Sequence, residues 1–137
     1  MLFRSEALEK VSGFAFDSNI IIDTLRGFPQ ARAELERAVQ RGGRVWISRA
    51  VWIEVMSKGD GEGLRRAEIL LSGFGVDEID EEIASRAAAL RRERQRLKAM
   101  DAIILATALT RGRVLVTRNT KDFPAEMPGI RVPYIIP

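Results

Sequence analysis

The chain has 137 residues, of which 46% are hydrophobic and 30% charged, and its formal net charge is +3. This balance is typical of one globular domain, and the absence of cysteine and histidine excludes disulfide frameworks, thiolate sites and histidine-dependent catalysis. A catalytic site in this chain would have to use carboxylates and bound cations. The pI of about 9.8 favours an anionic partner such as nucleic acid.

The N-terminal segment has mixed charges and no clear period. We interpret residues 1–13 as an extension that precedes a single domain over residues 14–137. The first residues lack the basic and then apolar order of a secretory signal. No apolar run approaches the roughly 20 residues needed to cross a bilayer. We therefore expect a cytoplasmic protein that does not associate with a membrane.

The first half of the domain predicts strands that alternate with helices. GFAF has the composition of a short buried strand ending at Asp17, and SNIIIDTLRG that of a helix stopped by Gly27. A second helix is predicted over about 29–41, with Pro29 in its first turn. The strand RVWIS then leads into the helix RAVWIEVMSKG, which Ser48 can cap.

The second half continues this alternation. A polar helix over about 61–72 precedes a short strand near GVDEI, and an amphipathic helix is predicted from Asp80 to Arg94. DAIILATALTRG has the composition of an interior helix that Asp101 opens and Gly112 ends. RVLVT predicts a strand, RNTKDFP a turn, and IRVPYII a final extended segment. The whole pattern predicts an α/β fold with a mainly parallel sheet covered by helices on both faces.

Four acidic residues fall where a parallel sheet binds its ligands. Asp17 and Asp122 follow strands, and helices that follow strands carry the other two acids, Glu54 and Asp101. Two carboxylates about 4 Å apart repel by roughly 4 kcal/mol at an effective dielectric near 20. A cluster of acids therefore either holds protons or recruits cations. Carboxylate oxygens suit Mg2+ or Mn2+, and magnesium leaves positions free for water and phosphate oxygens.

Each acid also has a purely structural interpretation. Asp17 can cap the helix that follows it, and Glu54 can pair with the lysine four residues further on. Asp101 can stabilise the positive end of its helix. Asp122 can belong to a simple turn in which Lys121 neutralises it. The arginines of LRRERQRLK can likewise form a solvated helix face.

Four segments, taken in order, resemble the motifs of the PIN domain family. FDSNIIID is similar to its opening strand and helix, ISRAVWIEVM to its second motif with the glutamate, MDAIILATAL to its third, and LVTRNTKDFP closes the set. The resemblance covers about residues 14–136 with a spacing typical of VapC-type toxins. Ser18, where threonine is common, is a mild departure. The resemblance implies a Rossmann-like, three-layer α/β/α sandwich with metal-dependent ribonuclease activity.

The resemblance also implies partners and residue roles. Such proteins are commonly toxins held inactive by an antitoxin, and homodimers are usual. The acids that would bind Mg2+ or Mn2+ and carry the reaction are Asp17, Glu54, Asp101 and Asp122. The family varies in its last acid, so either Asp122 or Asn119 completes the site. The residues that would support the geometry are Asn19, Thr117 and Asn119. Our candidates for binding RNA phosphates are Arg26, Lys98, Arg118 and Lys121.

Other functions stay open on the sequence. The chain can be an RNA-processing nuclease with a PIN fold outside any toxin system, or a non-catalytic RNA-binding or regulatory domain. In the second case RNA would bind with a marked salt dependence and remain intact. A receiver-like phosphorylation domain is also α/β with clustered acids, but it needs a lysine on a late strand. RVLVT contains no lysine, which disfavours that reading.

Overall fold

The structure is a computed structural model that describes residues 13–42 and 44–136. The N-terminal extension predicted over residues 1–13 lies outside the described residues except for Gly13, and it stays a prediction. In the described part of the chain, no helix is long and apolar enough to cross a membrane.

The described residues form one five-stranded sheet in the order β3-β2-β1-β4-β5. All four strand pairs are parallel, as the alternation of strands and helices predicts. The central strand β1 pairs with β2 on one side and with β4 on the other. The strands are β1 (Phe14–Phe16), β2 (Val45–Ser48), β3 (Gly75–Asp77), β4 (Val114–Val116) and β5 (Ile130–Arg131).

Six helices in the described residues flank this sheet, which confirms the predicted α/β/α architecture. Hydrophobic periodicity and local caps explain where most of them lie. Ser48 accepts a hydrogen bond from the backbone N–H of Val51 at 3.1 Å and so caps the third helix. The helices are α1 (Ser18–Leu25), α2 (Pro29–Gly42), α3 (Arg49–Met56), α4 (Gly61–Leu71), α5 (Glu81–Glu93) and α6 (Ala99–Arg111).

The core lies between the sheet and its helices. Phe16 on β1 and Val116 on β4 are fully buried, and so are Ile20 and Ile21 on α1. Helix α6 buries the middle of its length, from Ala102 to Ala108, and Gly112 ends it in the left-handed conformation with φ 70°. The sheet is thus covered on the faces that a parallel sheet must bury.

The start of the interior helix differs from the sequence prediction. Helix α6 begins at Ala99 after the N-cap Lys98, so Asp101 is inside the first turn and does not open the helix. Alanine and methionine are good helix formers, and they extend the helix towards its N-terminus. Within the final segment that was predicted to be extended, the residues that pair with the sheet are Ile130–Arg131. Pro133 follows closely and has no N–H to donate to a neighbouring strand.

The strand order creates a crevice in the middle of the sheet. From β1 the chain adds β2 and β3 on one side, and it then returns to place β4 on the other side of β1. Open α/β sheets bind ligands at such a switch point, outside the carboxyl ends of the two diverging strands. Asp17 and Thr117 immediately follow these two strands.

Candidate active site

A cavity of about 370 Å³ lies at this switch point. The structure brings together there all four acids selected from the sequence, although they come from four separate segments. Lys98 also lines the cavity. The full lining is Asp17, Ser18, Asn19, Glu54, Lys98, Ala99, Met100, Asp101, Asn119 and Asp122.

Another cavity, of about 360 Å³, lies beside the start of α2. Its lining includes Arg32 and Arg66 but no carboxylate. Because the chain has no histidine or cysteine, a hydrolytic reaction there would lack acids and bases. We therefore place the candidate site in the cavity lined by the four acids.

Asp17 is both the N-cap of α1 and a buried wall of the cavity. The residue is only 3% exposed, and its Oδ1 accepts a hydrogen bond from the backbone N–H of Ser18 at 2.8 Å. Its Oδ2 accepts hydrogen bonds from Thr117 Oγ1 at 2.7 Å and from Asn19 Nδ2 at 3.4 Å. Desolvation by burial raises the pKa of Asp17, and the Glu54 carboxylate adds to this against the opposing hydrogen bonds. Asp17 thus caps α1 and lines the cavity at the same time.

Glu54 is half-buried on α3 and faces the N-terminus of α1. Its Oε1 accepts a hydrogen bond from the hydroxyl of Ser18 at 2.8 Å, so its contact is with α1 and not with the lysine one turn further along α3. Ser18, which the sequence comparison treated as a departure from threonine, therefore joins two of the acids. Nothing in the sequence around Ser18 indicated that its hydroxyl would contact Glu54.

Asp101 lies in the first turn of α6. Its pKa is raised to about 6, first by desolvation and then by the carboxylates of Asp17, Asp122 and Glu54; Lys98 opposes the shift. A carboxyl group that feels three other carboxylates is a member of a cluster of like charges. The favourable position of Asp101 near the positive end of α6 does not cancel its repulsion from the other carboxylates, because its pKa is still raised.

Asp122 is held by the loop that follows β4. Asn119 Nδ2 donates a hydrogen bond to Asp122 Oδ2 at 3.0 Å, and the Asp122 N–H donates to Asn119 Oδ1 at 3.2 Å. The Asn119 N–H donates to Thr117 Oγ1 at 3.0 Å. The turn predicted from RNTKDFP therefore exists, and it also orients an acid. Arg94 donates a further hydrogen bond to the backbone carbonyl of Asp122. Nothing in the sequence separates Arg94 from the other arginines of its segment, so this contact could not be predicted.

The four cationic candidates are in different environments. Lys98 is exposed at the cavity, whereas Arg26 and Lys121 are exposed and absent from its lining. Arg118 forms a salt bridge with Asp23, with its Nε 2.7 Å from Asp23 Oδ2. Asp23 is a fully buried acid in the apolar run IIID that the sequence analysis did not select.

The oxygen donors around the cavity match a hard divalent cation. Four carboxylate residues line the cavity, and carboxylate oxygens are the ligands that Mg2+ and Mn2+ prefer. Among the described residues, no group of three or more acidic side chains has an arrangement that could hold an ion as it stands. The donor set fits the cation in its chemistry, and the repulsion among the acids gives a physical reason to bind one.

Comparisons with known proteins identify the family and the fold. The PIN domain model matches residues 14–125. A toxin-antitoxin complex from Klebsiella pneumoniae contains a chain 42% identical to this one, with a TM-score of 0.80 over 90% of this chain and 99% of that chain. DNA-bound VapBC from Salmonella typhimurium is 28% identical, with a TM-score of 0.70 over 87% of this chain and 95% of that chain.

A relative identified by sequence similarity also matches most of the chain. Ribonuclease VapC19 from Mycobacterium tuberculosis is 28% identical over 122 residues, which cover 86% of this chain and 97% of the relative. The PIN domain model, which matches residues 14–125, includes every residue that lines the acidic cavity. The chain belongs to the PIN domain family.

Proposed function

We propose that this protein is a divalent-metal-dependent endoribonuclease and the toxin of a toxin-antitoxin pair. The observation that carries the proposal is the convergence of four acids on one cavity at the switch point of the sheet. The relatives support the reaction and the setting, since one is named a ribonuclease and another is part of a toxin-antitoxin complex. The absence of histidine is consistent with hydrolysis that relies on carboxylates and a cation.

The metal ligands in this proposal are Asp17, Glu54, Asp101 and Asp122, and the ion is Mg2+ or Mn2+. When bound there, the ion would polarise an RNA phosphodiester and lower the pKa of a bound water. Neighbouring side chains orient the ligands. Thr117 and Asn19 hold Asp17, Ser18 holds Glu54, and Asn119 holds Asp122. Such supporting hydrogen bonds set the orientation of a carboxylate before an ion arrives.

Lys98 is the cation best placed to bind an RNA phosphate. It is exposed, and it lines the cavity beside Asp101. An ammonium at this position can attract the phosphate backbone that the acids alone would repel. Arg26 and Lys121 are exposed candidates for more distant phosphates. We assign the Arg118 side chain to Asp23 and not to RNA, because its guanidinium already binds that carboxylate.

The remaining parts of the proposal concern assembly. We infer that residues 14–137 act as one domain with residues 1–13 as an extension, because the family model begins at residue 14. The partner is an antitoxin protein, the protein itself forms a homodimer, and it acts in the cytoplasm. The 42% identical chain in a toxin-antitoxin complex supports the antitoxin.

Cleavage of a labelled RNA by the purified protein tests the activity. We expect cleavage with Mg2+ or Mn2+ that stops with a chelator and in Asp101→Asn. Asp60→Asn is the matched control, because Asp60 is an exposed acid whose side chain makes no cap hydrogen bond. Binding of RNA without cleavage would instead indicate a non-catalytic domain, and cleavage that persists in Asp101→Asn would contradict the proposed site.

Expression in a bacterial host tests the toxin role. We expect growth arrest that is relieved when the candidate antitoxin from the adjacent reading frame is co-expressed. Growth equal to that of an Asp101→Asn strain would favour an RNA-processing nuclease outside a toxin system.

A further inference from the structure

Asp23 is a buried carboxylate that the site described above does not use. It lies on α1 and is 0% exposed. Arg118 binds it in a fork, with Nε 2.7 Å from Oδ2 and Nη2 3.0 Å from Oδ1, and the hydroxyl of Tyr134 donates to Oδ2 at 2.8 Å. Burial acts to raise the pKa of Asp23, but the hydrogen bonds from Arg118 and Tyr134 outweigh it and hold the pKa below its ordinary value. The carboxylate is therefore charged at neutral pH.

Arg118 lies between two residues that orient acids in the cavity. Thr117, before it, donates to Asp17, and Asn119, after it, donates to Asp122. The Arg118 backbone N–H also donates to Asn19 Oδ1 at 3.3 Å. The loop after β4 is thus joined to α1 through both the backbone and the side chain of Arg118. Planar two-point pairing of a guanidinium with a carboxylate restricts orientation as well as distance.

We propose that the Asp23–Arg118 pair is a positioning device for the metal site, which holds the loop from Thr117 to Asp122 on α1. This inference rests on the proposed function, because it concerns the spacing of Asp17 and Asp122 around the cation. Without the pair the loop keeps its hydrogen bonds to Asn19 but loses the two-point attachment of the Arg118 side chain to α1. Loss of the pair therefore weakens binding of the divalent ion, in addition to any loss of folding stability.

The chain contains a second fork pair whose side chains do not contact the residues that line the cavity; Arg131 meets Thr117 only through a backbone hydrogen bond, which substitution of its side chain leaves in place. Arg131 on β5 binds Glu34 on α2 in the same fork, with Nε 2.6 Å from Oε2 and Nη2 3.0 Å from Oε1. Glu34 is 5% exposed, and the side chains of Arg131 and Arg118 are 33% and 31% exposed. Both pairs tie a helix near the N-terminus to the C-terminal part of the chain. Each carboxylate has one further partner, Tyr134 for Asp23 and Arg37 for Glu34.

Two double variants of the full chain separate positioning from stability. Asp23→Asn with Arg118→Met removes the first pair, and Glu34→Gln with Arg131→Met removes the second. Each variant keeps the net charge and removes both members of the fork; the second variant also takes the Glu34 carboxylate from Arg37, whose Nη1 lies 3.6 Å from it, so some extra loss of stability is expected there. Mn2+ binding by isothermal titration calorimetry and thermal unfolding without metal are measured for both. We expect both variants to lose thermal stability, but a Kd for Mn2+ about tenfold higher in the first variant only.

Two results would overturn the inference while leaving the proposed function intact: an unchanged Kd in the first variant, or an equal rise in both. If a double variant does not fold, Arg118→Lys and Arg131→Lys replace them, because lysine keeps the charge and loses the fork. The Kd should then rise for Arg118→Lys alone, and equal values would refute positioning. No saturable Mn2+ binding by the unaltered protein would instead overturn the proposed function, and this inference with it.

Discussion

Replacing Asp101 by asparagine should stabilise the metal-free protein while abolishing its activity. The pKa of Asp101 is raised from 3.8 to about 6 by desolvation and by the other carboxylates of the cavity. At 1.36 kcal/mol per pKa unit this rise corresponds to about 3 kcal/mol of unfavourable free energy in the charged folded state. The side chain is only half-buried, so solvent screening reduces the expected gain to about 1 kcal/mol.

The pH dependence follows from the same shift. Between pH 3.8 and about 6 the folded state binds more protons at Asp101 than the unfolded state does. The free energy of unfolding that this residue contributes therefore falls as pH rises through that window. The advantage of Asp101→Asn should be small near pH 4 and complete above pH 7.

Urea unfolding in the presence of a chelator, at pH 4.5 and at pH 7.5, measures this effect. Asp60→Asn serves as the control, since it removes one exposed acid outside the cavity. We expect Asp60→Asn to change the free energy of unfolding by no more than a few tenths of a kcal/mol. A variant Asp101→Asn that is less stable than the unaltered protein at pH 7.5, or equally stabilised at both pH values, would refute the reasoning from charge repulsion.

Three further predictions follow from the same structure. Saturating Mn2+ should raise the free energy of unfolding by about 2.7 kcal/mol at 100 times Kd, and Asp101→Asn should lose most of that gain in the same unfolding assay. Gly75→Ala should destabilise the fold by about 1 to 3 kcal/mol, measured by chemical unfolding, because a Cβ there would lie 2.4 Å from Trp46 Cε3; an unchanged midpoint would contradict it. Lys98→Gln should raise KM for RNA several-fold and lower the salt dependence of binding by about one phosphate contact, with kcat less affected; an unchanged KM would remove Lys98 from the RNA surface.

Local patterns in the sequence were enough to predict the order of strands and helices. Ser48 caps a helix where a cap was expected, and Gly112 ends the interior helix α6. Such signals involve neighbouring residues, so they can be recognised without a fold. The predicted start of the interior helix was wrong, because α6 begins at Ala99 and Asp101 lies inside its first turn.

The gathering of the acids was also predictable. Parallel strands end at one edge of a sheet, so acids that follow the strands converge there whatever their separation in the chain. Asp17 and Asp122 were selected in this way, and both line the cavity. Their roles as metal ligands stay a proposal.

Only the tertiary structure decided how the supporting side chains pair. Asp23 has the pattern of an ordinary helical residue, yet it binds Arg118 and Tyr134, which are 95 and 111 residues away in the chain. Arg118 in turn was predicted from the sequence to bind RNA, because its positive charge can be read from the sequence whereas its pairing with Asp23 cannot. Periodicity and spacing describe neighbours along the chain, whereas a buried ion pair depends on where the folded backbone places two distant side chains. For that reason the sequence alone could indicate the edge where the acids meet, and the fold was needed to show how they are held.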